Sequence, residues 1–424
     1  MSDTAPRTDK PSRVYRPPEM LRLLFFAILG MWLLVPVLLR DNLAQDAIPY
    51  IVAGELVRTD PDLVYAAKEG DLFELEPVFA KRSCEIAPPG TDCPSLSVAF
   101  VSTPFAIPFA VAVAQLGPDA GVLAMRVLAA LSLAGGMWVL WNRLAHRTRT
   151  APQQLVFTAL LLTPFTMVSL SLGQTSPVLF ASAALGISRA DRWLRAILTA
   201  GLWVAAVALK AFPAALFVVL VLQRRWRLVV SSVGWGALLG VLALALGPIS
   251  MWTGFVETAG DLSAQAGSNP YNGSLDALAY NLVAPLTEST GGSGVLFGVR
   301  VALAAGLLWW SSTRLDDDAQ WAYAYVLVLL VVPLVWWHYL WLAVAAVGIA
   351  LAARRRLDDR TLAVLPVLAA VTVPISIPNS RGWSIPVAQG FFLLATVVLV
   401  PLLSGGFRRP ARSARGDGEP VPQN

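Results

Sequence analysis

Long apolar runs, separated by short clusters of arginine, set the pattern of this sequence. An α-helix needs about 20 consecutive, mostly apolar residues to cross a bilayer. Twelve runs that suit a crossing lie at about residues 21–39, 119–141, 153–171, 172–188, 194–209, 211–222, 228–247, 296–312, 319–334, 336–351, 362–377 and 386–404. The pattern predicts an all-α, multi-pass membrane protein with about twelve transmembrane helices.

Two neighbouring runs, 194–209 and 211–222, are too short for two full crossings. Arg195 and Arg224 bracket only 28 residues, and a helix rises about 1.5 Å per residue. We therefore expect two short helices that meet at Lys210-Ala211-Phe212-Pro213, where the broken backbone must face protein or water.

The apolar segment 96–116 is interrupted by Thr103-Pro104 and Ile107-Pro108. Counting it as a crossing would place the basic stretch Arg143–Arg149 outside the cell. We expect it to lie at the membrane interface or to form a re-entrant turn.

Composition supports a bilayer environment, because 56% of the residues are apolar, 14% are charged and the mean hydropathy is +0.63. The net charge of +5 does not indicate nucleic-acid binding, since the basic residues cluster at the ends of the apolar runs. Under the positive-inside rule, five basic clusters are expected to be cytoplasmic together with both chain ends. They begin at Arg143, Arg189, Arg224, Arg354 and Arg408.

This topology predicts a simple domain organisation. Residues 1–20 form a basic cytoplasmic tail, 21–404 the transmembrane domain, and 405–424 a disordered cytoplasmic tail. Within the transmembrane domain, 40–95 and 248–295 are expected to be extracytoplasmic loops.

The stretch from Arg40 to Pro94 is acid-rich, with eleven acidic and five basic residues in a chain that is basic overall. It also holds Cys84 and Cys93, the only two cysteines. On the outer side of a membrane the two can form a disulfide, although a zinc pair or two thiols remain alternatives. We interpret the stretch as an extracytoplasmic cap over a site in the membrane.

Ionisable and polar groups are few inside the apolar runs and are therefore informative. They are Arg126, Lys210, Arg300, His338 and Gln174. Under the predicted topology each lies toward the extracytoplasmic end of its helix, beneath the acid-rich loop. This coincidence favours a shared site, and cations at the outer leaflet suit a lipid phosphate.

Asp46 is the strongest candidate for a general base. Asp41, Asp60 and Asp62 compete for that role, but Asp46 follows the first span directly, in Asp46-Ala-Ile-Pro-Tyr50. Partial burial there raises the pKa of a carboxyl group and makes its carboxylate a stronger base.

His338 lies among aromatic residues in Trp336-Trp-His-Tyr-Leu-Trp341. An aromatic belt explains the aromatic residues without any function, but not a histidine among them. Because aromatic faces also stack on sugar rings, His338 and Trp337 are candidate site residues. His146, in a basic loop, is explained by topology alone.

Taken together, these features resemble the membrane glycosyltransferases of the C superfamily (GT-C), and most closely glycosyltransferase family 87. That family includes polyprenyl-phosphate-mannose-dependent α-mannosyltransferases and arabinofuranosyltransferases of actinobacterial envelope biosynthesis. The resemblance is carried by Asp46 with Tyr50, Leu172-Gly-Gln-Thr-Ser-Pro177, Leu209-Lys-Ala-Phe-Pro213, Asn272-Gly-Ser274 and Trp336-Trp-His-Tyr339. One departure is Lys210-Ala211, where the family commonly has Lys-Pro.

The resemblance implies an inverting transfer from a lipid-phosphate sugar at the outer leaflet of the plasma membrane. Asp46 takes the proton of an acceptor hydroxyl, and His338, Lys210 and Arg381 stabilise the departing phosphate. The expected substrate-binding residues are Lys210, Tyr50, Gln174, Arg126, Arg300, Asn272, Arg381 and Trp337. The expected partners are the polyprenyl-phosphate donor, a glycolipid or glycan acceptor and membrane lipids, with no metal, cofactor or nucleic acid, and the protein is expected to act as a monomer.

Three alternatives differ from this interpretation. An arabinofuranosyltransferase changes only the donor sugar. A secondary transporter or lipid flippase also places charges in the membrane, but such proteins commonly contain internal repeats, and none is evident here. A scaffold of an envelope-synthesis complex leaves Asp46 and His338 without a role.

Overall fold

The structure is a computed structural model of the chain. It describes residues 46–65, 75–87, 99–144, 173–186, 192–265, 267, 272–283, 293–336, 339, 342–343, 346–347, 349–350 and 384–404. These residues are predominantly helical, and the β pairing found among them is a single antiparallel bridge between Asn272 and Trp336.

The longer α-helices of the described residues are numbered in chain order. They are α1 (Ile48–Thr59), α2 (Pro77–Ile86), α3 (Ile107–Gln115), α4 (Pro118–Leu144), α5 (Ser176–Gly186), α6 (Trp193–Leu209), α7 (Phe217–Leu222), α8 (Trp226–Leu246), α9 (Ser250–Gln265), α10 (Leu275–Val283), α11 (Ser293–Arg314), α12 (Asp317–Val331) and α13 (Ser384–Ser404). Short 3-10 helices precede α3 and α7, at Pro104–Ala106 and Phe212–Leu216.

Three of these helices are long and apolar enough to cross a membrane. The suitable segments are Pro118–Val139 in α4, Trp226–Leu246 in α8 and Val295–Arg314 in α11. The prediction of an all-α protein with several membrane helices is confirmed for the described residues. The number twelve stays a prediction, since the runs 21–39, 153–171 and 362–377 lie outside them.

The predicted break at Lys210 is confirmed. Helix α6 ends at Leu209, Lys210 has extended backbone with φ −146° and ψ 123°, and a 3-10 helix begins at Phe212. The segment 96–116 is broken at Thr103-Pro104 as predicted, whereas at Ile107-Pro108 the chain only changes from 3-10 helix to α-helix. Residues 104–115 form a helical unit about 18 Å long at 1.5 Å per residue, too short to cross alone.

Both predicted extracytoplasmic loops contain ordered helices. The first holds α1 and α2, which are joined by Arg82: its Nε and Nη2 donate to the two carboxylate oxygens of Glu55 at 2.6 and 2.9 Å. The second holds α9 and α10. The membrane side on which these loops lie stays a prediction.

Helix packing brings the first loop down onto the membrane helices. Helix α1 packs along α3, while α4 packs on α5, α6 on α8, and α12 on α11 and α13. The crossing of α1 and α3 is close because Gly54 faces Ala110. A methyl group at Gly54 would lie 2.2 Å from the backbone oxygen of Ala110. Packing of α1 on α3 fixes the helix that follows Asp46.

We expect Gly54→Ala to destabilise the protein by roughly 1–3 kcal/mol, because the added methyl group forces α1 away from α3. Gly135→Ala is the matched control: Gly135 also lies in a helix, but nothing lies within 4 Å of the position of an added methyl group. That variant should be neutral or more stable by up to about 1 kcal/mol. Thermal unfolding in detergent measures both, and equal melting temperatures would show that the close crossing is not required.

Candidate active site

A cavity of about 40 Å3 opens where α1, α5 and the break after α6 meet. Its polar lining consists of Asp46, Tyr50, Ser102, Gln174, Thr175, Ser176 and Lys210, and Trp336 is among its other lining residues. Four residues predicted from separate parts of the sequence therefore share one cavity, namely Asp46, Tyr50, Gln174 and Lys210.

Asp46 and Tyr50 are presented by the start of α1. Asp46 lies two residues before the first residue of the helix, where the positive end of the helix dipole favours a carboxylate. Tyr50 follows four residues later, one helical turn along the same side. Pro49, in the first turn, supports this start because proline fits the first helical positions without losing a hydrogen bond.

Gly173 allows Gln174 to reach Asp46. Its φ is +67°, a left-handed conformation that glycine adopts readily, and a methyl group there would lie 3.1 Å from Cβ of Ala47. The Gln174 side chain hydrogen-bonds Asp46. Because an ionised carboxylate only accepts, the donor is the amide nitrogen of Gln174, while its oxygen accepts from the Ser176 hydroxyl at 3.3 Å.

Ser102 and Thr103 hold the end of α6 and so place Lys210. A helix leaves its last carbonyl groups without partners inside the helix. Here Thr103 donates to the Ala208 oxygen from its backbone nitrogen at 3.1 Å and from its hydroxyl at 2.8 Å. The Ser102 hydroxyl donates to the Leu209 oxygen at 2.8 Å. Lys210 follows directly, half-buried, with Nζ 5.7 Å from the centre of the Tyr339 ring.

The same serine fixes the direction of the hydroxyl of Tyr50. The two hydroxyl oxygens lie 2.6 Å apart. Since Ser102 gives its only proton to the Leu209 carbonyl, the Tyr50 hydroxyl must donate to Ser102. Thr175 also hydrogen-bonds Tyr50, and its hydroxyl is then the donor. The Tyr50 oxygen therefore keeps one lone pair that can accept a further hydrogen bond in the cavity, which Lys210 also lines.

The electrostatics of the cavity favour a basic carboxylate. Burial raises the pKa of Asp46 above that of an ordinary aspartate, while the charge of Lys210 and the hydrogen bond from Gln174 act in the opposite direction. Burial also raises the pKa of Tyr50, so its hydroxyl keeps its proton. Asp46 is half-buried and lines the cavity, which leaves its carboxylate open to a reacting hydroxyl.

The two predicted arginines do not line this cavity. Arg126 is buried on α4. Arg300 is buried on α11, where Nη2 lies 2.7 Å from Oδ2 of Asp276 on α10. Burial of Asp276 raises the pKa of its carboxyl group, and the charge of Arg300 and their hydrogen bond lower it. A role for either arginine in substrate binding stays a prediction.

Asn272 is completely buried, and its side chain binds backbone groups of its own loop and of the segment before Trp336. Three other predicted site residues, Trp337, His338 and Arg381, lie outside the described residues. Of the disulfide candidates, Cys84 lies on α2 and Cys93 lies outside the described residues, so their pairing stays a prediction.

Ser102, Thr175 and Trp336 were missed by sequence reasoning as parts of the site. The prolines near Ser102 had indicated only a broken apolar segment, and Trp336 had been explained by an aromatic belt. Thr175 lies inside the Gly-Gln-Thr-Ser motif, which was the signal that could have identified it. In the part of the chain that the structure describes, no group of three or more histidine, cysteine or acidic side chains is arranged to hold a metal ion.

The fold and the cavity define a helical membrane protein with a carboxylate and an ammonium ion at one polar site. The model of glycosyltransferase family 87 matches residues 100–335, more than half of the chain. The chain belongs to glycosyltransferase family 87, which confirms the resemblance inferred from its motifs. No curated protein and no solved structure matches the chain.

The matched region includes Gln174 and Lys210 but ends before His338 and begins after Asp46. The family match therefore covers the part of the chain that carries Gln174 and Lys210, whereas Asp46 lies outside it and reaches the same cavity through the fold.

The raised pKa of Asp46 predicts a pH-dependent cost to stability. A carboxyl group whose pKa is higher in the folded than in the unfolded state destabilises the fold once pH rises through that interval. We expect Asp46→Asn to melt at a higher temperature than wild type at pH 7. The difference should shrink as pH falls toward the ordinary aspartate value of 3.8, because the Asp46 carboxyl group of the folded protein then becomes protonated and uncharged, like the amide that replaces it.

Thermal unfolding of both proteins across this pH range measures the difference. Asp60→Asn, at an exposed position at the end of α1, is the control and should melt like wild type throughout. A lower melting temperature of Asp46→Asn at pH 7 would mean that the carboxylate stabilises the fold.

Proposed function

We propose that the protein is an inverting glycosyltransferase that moves mannose from polyprenyl phosphate to a hydroxyl of a glycolipid or cell-envelope glycan. The site faces the extracytoplasmic side of the plasma membrane, and the protein acts as a monomer without a metal or cofactor. One observation carries the proposal: the carboxylate of Asp46 and the ammonium group of Lys210 share one cavity in a member of family 87.

In the proposed reaction Asp46 is the general base. Its carboxylate accepts the proton of the acceptor hydroxyl as that oxygen forms a bond to the anomeric carbon of the sugar. The bond from this carbon to the phosphate oxygen breaks, and its electron pair leaves with polyprenyl phosphate. A carboxylate with a raised pKa suits this step because it accepts a proton more readily than an aspartate in water.

Lys210 supplies positive charge for the phosphate. It is half-buried, so its interaction with an anion is less weakened by water than at the protein surface. The N-terminal end of α5, which contributes Thr175 and Ser176 to the same cavity, is also favourable for an anion. His338 and Arg381 are proposed to add to this stabilisation.

Transfer of label tests the function directly. Purified protein is incubated with radiolabelled polyprenyl-phosphate mannose and a lipid extract, without ATP or nucleotide sugar. Labelled glycolipid is the expected product, and a parallel reaction uses polyprenyl-phosphate arabinose. Transfer from the arabinose donor alone would change the sugar, whereas no transfer from either donor would contradict the proposed enzyme.

Asp46→Asn should lower turnover by about 10²–10⁴-fold, because it keeps the shape of the side chain and removes its proton affinity. Donor binding should persist, since the phosphate is held by other residues. Asp60→Asn, at an exposed position at the other end of α1, is the matched control and should transfer normally. If Asp46→Asn transferred mannose at near wild-type rates, the base would have to be another residue.

Lys210→Met should weaken donor binding by about tenfold to a hundredfold, because a phosphate loses a charge-assisted hydrogen bond. Binding of a non-reactive polyprenyl-phosphate analogue to purified protein measures this change. Lys81→Met, which removes an exposed lysine of α2, should bind like wild type. Normal binding by Lys210→Met would assign Lys210 a structural role.

A further inference from the structure

The loop 272–274 is fastened to the segment that follows α12. Asn272 and Trp336 form an antiparallel bridge, and the backbone nitrogen of Gly273 donates to the oxygen of Val335 at 2.6 Å. The two partners are about sixty residues apart in the chain: Asn272 and Gly273 precede α10, and Val335 and Trp336 follow α12. Their pairing joins the second predicted loop to the edge of the cavity.

The side chain of Asn272 extends this pairing on both sides. Its oxygen accepts from the backbone nitrogens of Val335 at 2.8 Å and Ser274 at 3.0 Å, and its nitrogen donates to the oxygen of Pro333 at 2.8 Å. An amide oxygen has two lone pairs, so both are in use. Asn272 is 0% exposed, and its oxygen has no acceptor capacity left for a substrate hydroxyl.

A second element, helix α13, also packs against the loop 272–274. Helix α13 lies directly on Gly273, where an added methyl group would meet the side-chain oxygen of Gln389 at 2.3 Å. Gln389 is itself buried. A substrate therefore cannot reach Asn272 without displacing α13 or the segment 333–336.

The segment held by Asn272 needs such partners. Helix α12 ends at Val331, and the residues after it have left the helical hydrogen-bond pattern. Non-helical backbone in a membrane protein must find partners elsewhere in the protein. Asn272 and Gly273 supply three of them, to Pro333 and Val335.

This segment brings Trp336 to the cavity and Tyr339 beside Lys210. Trp336 lines the cavity, and Tyr339 lies with its ring 5.7 Å from Nζ of Lys210 and 5.4 Å from the ring of Phe212. The backbone nitrogen of Tyr339 donates to the oxygen of Trp336 at 2.7 Å. Trp336 and Tyr339 are the two residues that flank Trp337 and His338 in the sequence.

We propose that Asn272 is a positioning residue, which holds Val335 and Trp336 so that Trp336 stays at the cavity and Tyr339 stays beside Lys210, and that it does not bind substrate. This inference rests on the proposed function for its kinetic part only. It replaces the substrate-binding role that the Asn-Gly-Ser motif had suggested.

The test compares three variants of the full-length protein. Asn272→Ala removes the side-chain hydrogen bonds to Pro333, Val335 and Ser274. Asn272→Asp keeps an oxygen for Val335 and Ser274 but loses the amide donor to Pro333. Asn281→Ala is the matched control, because Asn281 on α10 uses its amide only within its own helix, donating to Ala277 at 2.7 Å.

Hydrogen–deuterium exchange without substrate gives the first readout. We expect peptides that cover 332–336 to exchange faster in Asn272→Ala, because the amide of Val335 loses its acceptor, while α12 keeps wild-type protection. Asn272→Asp should retain most of the protection at Val335, and Asn281→Ala should match wild type. Unchanged exchange at 332–336 in Asn272→Ala would overturn the proposal.

Steady-state transfer and donor binding give the second readout. For Asn272→Ala we expect kcat to fall at least tenfold while the Kd of the donor analogue changes by less than threefold, with a smaller fall in kcat for Asn272→Asp. Weaker binding of donor or acceptor with kcat preserved would identify Asn272 as a substrate ligand and overturn the proposal.

The two readouts separate the possible failures. If wild type transfers no sugar, the proposed function is wrong, and the exchange experiment still decides whether Asn272 holds the segment. If Asn272→Ala does not fold, Asn272→Asp carries the test. A fall in kcat in this isosteric variant, with donor binding retained, supports positioning, and weaker binding of donor or acceptor with kcat preserved overturns it.

Discussion

The site depends on keeping a carboxylate and an ammonium ion in one cavity, both partly out of water, in a chain whose composition suits a bilayer. Removing either charge from water is costly unless the other charge and fixed hydrogen bonds compensate. Lys210 and the amide of Gln174 provide this compensation for Asp46, yet burial still raises the pKa of the Asp46 carboxyl group. The remaining cost makes the carboxylate a stronger base, which is the property that the proposed reaction requires.

Irregular backbone is concentrated where these charges meet. Helix α6 stops before Lys210, Gly173 turns before α5, and the chain leaves α12 before Trp336. At two of these places polar side chains satisfy the backbone groups that the helices leave without partners. Ser102 and Thr103 do so for α6, and Asn272 does so after α12. Polar residues of this protein thus have two roles: some line the cavity, and some hydrogen-bond the non-helical backbone around it.

Membership of family 87 and the tertiary contacts describe different parts of the molecule. The family match covers residues 100–335, which form most of the helical frame and carry Gln174 and Lys210. Asp46 lies outside that region and reaches the cavity through the packing of α1 on α3, which Gly54 makes possible. Arg300, by contrast, is a buried charge that does not line the cavity. It forms an ion pair with Asp276 on the neighbouring helix α10.

Features that depend on neighbouring residues could be predicted from the sequence. Apolar runs predicted most of the helix positions, and the short interval between Arg195 and Arg224 predicted the break at Lys210, because helix length and membrane thickness are local constraints. Which polar residues contact one another depends on the tertiary structure and could not be predicted. Ser102 pairs with Tyr50 and Leu209, and Asn272 with Val335, across 52 to 107 residues. Such contacts leave no periodic pattern in a uniformly apolar sequence, since they arise from how helices pack and where their backbone is left open.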